Sequence, residues 1–205
     1  MPKLIGTLGS PFVRKVRMVL AEKNIPYLMI ENSPSQQGSI VPTVNPLGKV
    51  PAMLTDDERS LYDSRVIVEY LDTLHPDNPL LPPVGMARIS VKRWEALADG
   101  LSDATVAVVS ERRRENELQR SPEWIAKQMG KVQRAVTTLA EEIGDREWCH
   151  GDRLTLADLA VMAALGYVTL RLPEMDWRSE FPTLHAYFVR HAQRQSFIDT
   201  TPPPA

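Results

Sequence analysis

The chain has 205 residues, 43% of them hydrophobic and 24% charged, a balance that suits two small folded units and excludes a disordered chain. Its formal net charge of −2 carries no basic excess, so a nucleic-acid binder is not expected. One cysteine, Cys149, leaves no intramolecular disulfide to form and fits a reducing compartment.

The start, Met1-Pro2-Lys3-Leu4, reads as lacking the apolar stretch of a secretory signal. The longest apolar segment, 159–170, is bounded by Asp158 and Arg171 and is too short to span a bilayer. A soluble cytoplasmic protein without a membrane partner is expected.

Taken in chain order, 3–8 is a short β-prone run, and 11–23 places Phe12, Val16, Val19 and Leu20 at helical spacing. Asn24 and Pro26 break that helix, and 27–31 reads as a second strand, so the first two strands are expected to be parallel. Segments 52–54 and 60–62 flank the charged turn Asp56-Asp57-Glu58 and suggest a hairpin. A helix is expected from Ser64 to about Leu74, with Ile67, Tyr70, Leu71 and Leu74 on one face. The order βαβ then ββα predicts a thioredoxin-like unit over 1–77.

Pro76, Pro79, Pro82, Pro83 and Gly85 mark a linker at 78–85. The rest, 86–205, is expected to be all-helical. Ile89, Leu97, Leu101, Ala104 and Val108 fit one long helix from Met86 to about Val109. Ile125, Met129, Val132, Val136, Leu139 and Ile143 form an amphipathic stripe, and 156–170 is apolar almost all round and belongs at the centre. A final helix is expected over 181–194, with a frayed proline-rich tail at 201–205. Arg112-Arg113-Arg114, followed by Glu115 and Glu117, reads as a solvated helix face.

Four motifs bear on chemistry. Ser10-Pro11-Phe12-Val13 falls where the first strand hands over to the first helix; Ser10 is either an ordinary N-cap or a hydroxyl facing an anion at the helix start. In Asn45-Pro46-Leu47-Gly48-Lys49-Val50-Pro51, the Val50–Pro51 bond is either cis, turning the Val50 backbone towards an extended ligand, or the trans start of an edge strand. In Tyr62-Asp63-Ser64-Arg65, Ser64 and its helix start suit a carboxylate and Asp63 suits an ammonium group; a simple capped helix reads equally well. Thr155-Leu156-Ala157-Asp158 has the form of a capping box, for which Thr155 and Asp158 are structural. The four histidines lie far apart, so no metal site is expected, and Cys149, between Trp148 and His150, reads as a packed residue.

In this order and spacing, the stretches 10–17, 45–51, 63–71 and 151–158 closely resemble the glutathione S-transferase family, most of all bacterial members with a serine in the Ser-Pro-Phe motif. The resemblance spans nearly the whole chain. It implies reduced glutathione as cosubstrate, no metal, a small electrophilic second substrate, and a homodimer. Val50, before cis-Pro51, would pair with the cysteinyl backbone of glutathione; Asp63 and Ser64 would hold its γ-glutamyl head; Lys49 would reach a carboxylate; and Ser10 would be catalytic, donating to the sulfur to favour the thiolate. Asp99 and Asp103 are further acids on the long helix that could assist. Ser10 stands where cysteine-type relatives carry a nucleophilic thiol, which removes mixed-disulfide exchange there, and Asp63 stands where many relatives have the longer Glu or Gln. Two other readings follow from the same resemblance: a non-catalytic regulatory protein like the stringent starvation proteins, or a different glutathione-dependent reaction such as isomerisation, dehalogenation or reduction.

Overall fold

The computed structural model describes residues 1–203; the last two residues of the expected frayed tail lie outside the described residues. The chain divides into two compact units. The first takes Met1–Pro83 together with the segment from Gln193 onward, and the second is Val84–Ala192.

The first unit is built on a four-stranded sheet. Strands β1 (Lys3–Gly6), β2 (Leu28–Glu31), β3 (Ala52–Leu54) and β4 (Ser60–Leu61) lie in the order β2-β1-β3-β4. β2 runs parallel to β1, as the strand–helix–strand pattern predicts, and the two remaining pairings are antiparallel. Helix α1 (Pro11–Glu22) makes the crossover. Ser10 caps it, Pro11 starts it, and Asn24, at φ +52°, turns the chain out of it. Its buried residues include Val13, Val16, Val19 and Leu20. A short helix α2 (Val41–Val44), absent from the sequence reading, packs Val41 and Val44 against Ile5 and Ala52. Helix α3 (Ser64–Leu74) packs against α1 and buries Ile67, Val68 and Leu71; Leu74, expected on the same face, is exposed.

Lys23, one residue past α1, fastens this unit from inside. Its buried Nζ pairs with Asp72 at 2.6 Å and donates to the carbonyls of His75 (2.9 Å) and Asn78 (2.6 Å). Asp72 in turn accepts the N–H groups of Leu80 (2.7 Å) and Leu81 (3.1 Å). Both charges are thus satisfied where desolvation would otherwise be costly. The proline-rich stretch after α3 is therefore held onto the first unit at least as far as Leu81.

The second unit contains α4 (Gly85–Arg112), a 3₁₀ turn (Glu117–Gln119), α5 (Pro122–Ile143), α6 (Leu156–Arg171), α7 (Trp177–Glu180) and α8 (Pro182–Ala192). Helix α4 buries Val91, Trp94, Ala98, Leu101, Ala104 and Val108, whereas the expected Ile89 is exposed. Helix α4 ends at Arg112, so the arginine run is not a helix face: it carries the chain off the helix end. Helix α5 starts at the Ser121 cap and stops at Gly144, whose φ of +51° suits glycine. Helix α6 is buried continuously from Leu156 to Val168 against α4. Each fully buried leucine or valine there contributes about 1.5–3 kcal/mol.

The final helix differs from the expected 181–194. Pro182 cannot supply the N–H that would continue α7, and α8 ends at Ala192. The chain then forms α9 (Gln195–Ile198) against α1. The captors are charged residues of α1. Glu22 receives Arg194 through two bonds of 2.9 and 2.8 Å, and also the Ser196 hydroxyl. The Arg14 guanidinium stacks 3.8 Å from the Phe197 ring centre and donates to the Phe197 carbonyl at 3.0 Å. Arg17 donates to the Asp199 carbonyl at 3.0 Å. Burial, with Arg17 adding repulsion, lowers the Arg14 pKa to about 10, which leaves it charged at neutral pH. The segment from 193, expected within a helical domain of 86–205, thus folds with the first unit.

The buried carboxylate of Asp158 organises the second unit. Its Oδ2 accepts the Thr155 N–H (2.8 Å) and hydroxyl (3.0 Å), and both halves of the capping box are present. Its Oδ1 accepts the Cys149 N–H at 2.7 Å and the Tyr187 hydroxyl at 2.8 Å. Tyr187 spends its one hydroxyl proton on Asp158, so the Cys149 thiol, 3.2 Å away, donates to the phenol oxygen. Burial first, and then the neighbouring Asp158, push the Cys149 thiol well above its ordinary pKa.

Removing the Asp158 carboxylate strands several buried donors, each worth about 1–3 kcal/mol when unpaired. Asp158→Ala is expected to lower the free energy of urea unfolding by about 3–5 kcal/mol, and Asp158→Asn by less. A loss below about 1 kcal/mol would contradict this role. Cys149 is expected to be inert to a disulfide reagent such as Ellman's in the native protein and to react only in denaturant; fast native-state labelling would mean that the thiol is not sealed.

Candidate functional site

Strand register places three of the motifs on one edge of the sheet. Ile5, near the end of β1, lies opposite Ala52, at the start of β3. Met53 of β3 lies opposite Leu61, the last residue of β4. The residues that follow β1, precede β3 and follow β4 therefore emerge at the same end. These are Ser10, Val50 and Asp63–Ser64. Ligand sites of open α/β sheets favour the ends where strands hand over to helices.

Gly6 tightens this edge, and sequence reasoning overlooked it. A Cβ on Gly6 would lie 2.5 Å from a Val13 methyl and 3.4 Å from the Val50 Cβ. Only glycine lets the first turn of α1 close onto the strand end beside the Val50 loop. A glycine ending a strand just before a helix motif was the available signal.

Ser10 caps α1 with a long bond, its Oγ accepting the Val13 N–H at 3.4 Å. The hydroxyl proton stays available to donate. The first turn of α1 carries no acidic residue, so the positive end of the helix is uncompensated by carboxylates. A thiolate or other anion beside Ser10 meets a hydroxyl donor and this helix end together.

Val50 is half-buried, and the Val50–Pro51 peptide is cis. Among the described residues, neither the N–H nor the carbonyl of Val50 has a hydrogen-bond partner. Asn45 holds the loop by donating to the Lys49 carbonyl at 2.8 Å. The Lys49 side chain is exposed and forms no ion pair among the described residues.

Asp63 caps α3, one carboxylate oxygen accepting the Arg65 N–H at 2.9 Å; the residue is exposed, so the other oxygen can take an ammonium group. The Tyr62–Asp63 peptide is also cis. Ser64, the first residue of α3, is 3% exposed, yet its hydroxyl has no partner among the described residues. An unpartnered hydroxyl at a helix N-terminus, next to an open carboxylate, matches the carboxylate and ammonium of an amino-acid head group.

Thr155 and Asp158 serve the core of the second unit instead. Of the two α4 acids that could assist, Asp99 is buried and Asp103 is exposed. Among the described residues no group of three or more His, Cys, Asp or Glu is arranged to hold a metal ion, and no helix is long and apolar enough to cross a membrane.

Comparison with known proteins places this arrangement. Residues 4–79 match the family model described as glutathione S-transferase, N-terminal domain, and residues 122–190 match glutathione S-transferase, C-terminal domain. A glutathione S-transferase from Methylobacillus flagellatus, solved with GSH bound, is 43% identical with a TM-score of 0.95, covering 99% of this chain and 100% of that one. Another from Methylobacterium radiotolerans, in complex with glutathione sulfonate, is 40% identical with a TM-score of 0.94, covering 100% and 96%. The uncharacterised GST-like protein YibF of Escherichia coli is 34% identical over 203 residues, 99% of this chain and 100% of its own. Matched by both domain models and alike over its whole length to such proteins, the chain belongs to the glutathione S-transferase family.

Proposed function

We propose that this chain is a glutathione transferase of the serine type, which binds reduced glutathione at the sheet edge of the first unit and promotes thiolate attack on a small electrophile. The observation that carries the reading is the unpartnered Ser64 hydroxyl beside the open carboxylate of Asp63, on the same edge as the unpartnered Val50 backbone. In this reading Val50 pairs with the cysteinyl backbone of glutathione as an added strand does. Asp63 takes the γ-glutamyl ammonium, and Ser64 with the α3 N-terminus takes its carboxylate. Lys49 reaches the other carboxylate as an exposed point charge.

The sulfur then lies at the start of α1. Ser10 donates its proton to the sulfur as a hydrogen bond, and the helix end favours negative charge. Both act on the thiolate more than on the thiol, so the thiol pKa falls and more nucleophile is present at neutral pH. The thiolate forms the new carbon–sulfur bond as the electrophile's leaving group departs, or as its double bond accepts the electron pair. Solved relatives at 43% and 40% identity, one with GSH bound and one with glutathione sulfonate, support the reading.

Calorimetric titration with reduced glutathione is expected to show one saturable site. Ser64→Ala should weaken it about tenfold, the loss of one hydrogen bond to a charged group. Equal affinity in Ser64→Ala would remove the head-group assignment. Ser10→Ala is expected to bind glutathione nearly normally but to raise the thiol pKa of the bound ligand, read from thiolate absorbance near 240 nm across a pH series. Conjugation should then fall about tenfold at pH 6.5 and recover towards wild type as pH rises. A pH profile unchanged by the substitution would rule out this role for Ser10.

A further inference from the structure

Helix α1 carries charges that oppose its own dipole. Its first two turns hold Arg14, Lys15 and Arg17 and no acid, so cations stand near the positive end of the helix. The cap adds little, since the Ser10 Oγ accepts the Val13 N–H only at 3.4 Å and no acid completes a capping box. A helix of 12 residues is marginal by itself, so the position of its first turn depends on what packs against it.

The C-terminal segment supplies that packing. It runs back along α1, from Glu22 at the last residue to Arg14 in the first turn. Arg194 and Ser196 meet Glu22. Arg17 donates to the carbonyls of Asp199 (3.0 Å) and Thr200 (3.4 Å). Arg14 donates from Nε to the Thr200 hydroxyl at 3.4 Å and from a terminal nitrogen to the Phe197 carbonyl at 3.0 Å. Phe197, Asp199 and Thr200 lie at the end of α9 or just beyond it, where carbonyls lack partners within the helix. Cations that are unfavourable on α1 therefore serve as caps for α9.

Arg14 links this clamp to Ser10. Its backbone N–H donates to the Ser10 carbonyl at 2.9 Å. Its guanidinium, on a residue only 4% exposed, lies 3.8 Å from the centre of the Phe197 ring. One residue earlier, Val13 closes on Gly6. The first turn is thus gripped twice, by Val13 on the sheet and by Arg14 on the C-terminal segment. We propose that Phe197 and Thr200, acting through Arg14, are positioning residues for Ser10, so that the returning segment sets how well Ser10 donates to the glutathione sulfur. The inference rests on the reading of Ser10 as that donor. Strand register delivers Ser10 to the edge of the sheet, and the clamp on Arg14 fixes the turn from which its hydroxyl projects. A hydrogen bond weakens steeply as its angle opens, so a loosened first turn costs thiolate stabilisation before it costs binding.

The test keeps every charge of α1 in place and uses the full-length protein. Phe197→Ala and Thr200→Val loosen the grip on Arg14, and Phe197→Tyr keeps the ring. Calorimetric affinity of Phe197→Ala for reduced glutathione is expected to stay within about twofold of wild type, because Val50, Asp63 and Ser64 are untouched. The thiol pKa of bound glutathione, read from thiolate absorbance, should rise by about half a unit, with conjugation about threefold slower below that pKa and recovering as pH rises. Thr200→Val should shift it the same way by less, and stands in if Phe197→Ala fails to fold; Phe197→Tyr should restore the wild-type value. Added to Ser10→Ala, Phe197→Ala should give no further shift, since both act through one hydroxyl. A lower melting temperature with an unchanged thiol pKa would show a merely structural segment and overturn the proposal. So would a shift that persists undiminished in the Ser10→Ala background. A thiol pKa moved by Ser10→Ala but not by Phe197→Ala or Thr200→Val overturns the clamp alone; one that Ser10→Ala does not move overturns the Ser10 reading and the clamp together.

Discussion

The antiparallel register of β1 against β3 is the constraint on which the candidate site depends. With Ile5 opposite Ala52, the end of the first strand meets the beginning of the third. Pairing β3 with β4 through Met53 and Leu61 then delivers the end of β4 to the same edge. Two helix N-termini, those of α1 and α3, and the loop of Val50, whose amide and carbonyl have no partner among the described residues, are gathered by backbone hydrogen bonds. No side chain has to bring them together. A slip of one residue would turn Ile5 out of the core and separate Val50 from the start of α1. The absent Cβ of Gly6 completes the arrangement, because the helix can close onto the sheet only where no side chain intervenes.

The two units solve the same physical problem with different buried charges. In the first, an ammonium group is the hub: Lys23 collects one carboxylate and several carbonyls, and so holds the chain beyond α3 in place. In the second, the hub is a carboxylate, Asp158, which collects backbone and side-chain donors and so ties the start of α6 to α8 and to the loop of Cys149. In each case the hydrogen-bonding capacity of the buried charge is largely filled, which is the condition under which such a group can be tolerated away from water. The apolar helix α6 supplies the bulk of the burial, and Asp158 decides where that helix begins.

The arginines show how one residue type is put to several uses. Arg14 and Arg17 serve carbonyls of the returning C-terminal segment, and Arg194 serves Glu22 from the other side. Their partners are distant in sequence, so the segment after α8 is drawn to α1 by charge and not by an apolar stripe. Arg112 and Arg114 are neutralised locally by Glu174 and Glu111. Among the described residues Arg113 and Arg171 form no ion pair, and that difference would be invisible in a count of charges.

Much of this protein could be read from residue order alone. The amphipathic periods of α1 and α5, the apolar α6, the capping box and the Ser-Pro-Phe, Val-Pro and Asp-Ser motifs are local properties, written over a few neighbouring residues. They are enough for the fold class, the family and the candidate residues. What lay beyond reach depends on partners far apart in the chain. The importance of Gly6 appears only when α1 and the Val50 loop close on it. The break at Pro182 was legible as a proline, but the capture of 193 onward by Arg14, Arg17 and Glu22 was not, because ionic partners more than 170 residues apart leave no periodic trace. The same holds for Cys149, whose burial beside Tyr187 and Asp158 is settled by packing. Local sequence determined which elements form and where they start and stop; the tertiary structure decided which polar groups are satisfied inside the protein and which remain open, because satisfaction is a property of contacts between elements.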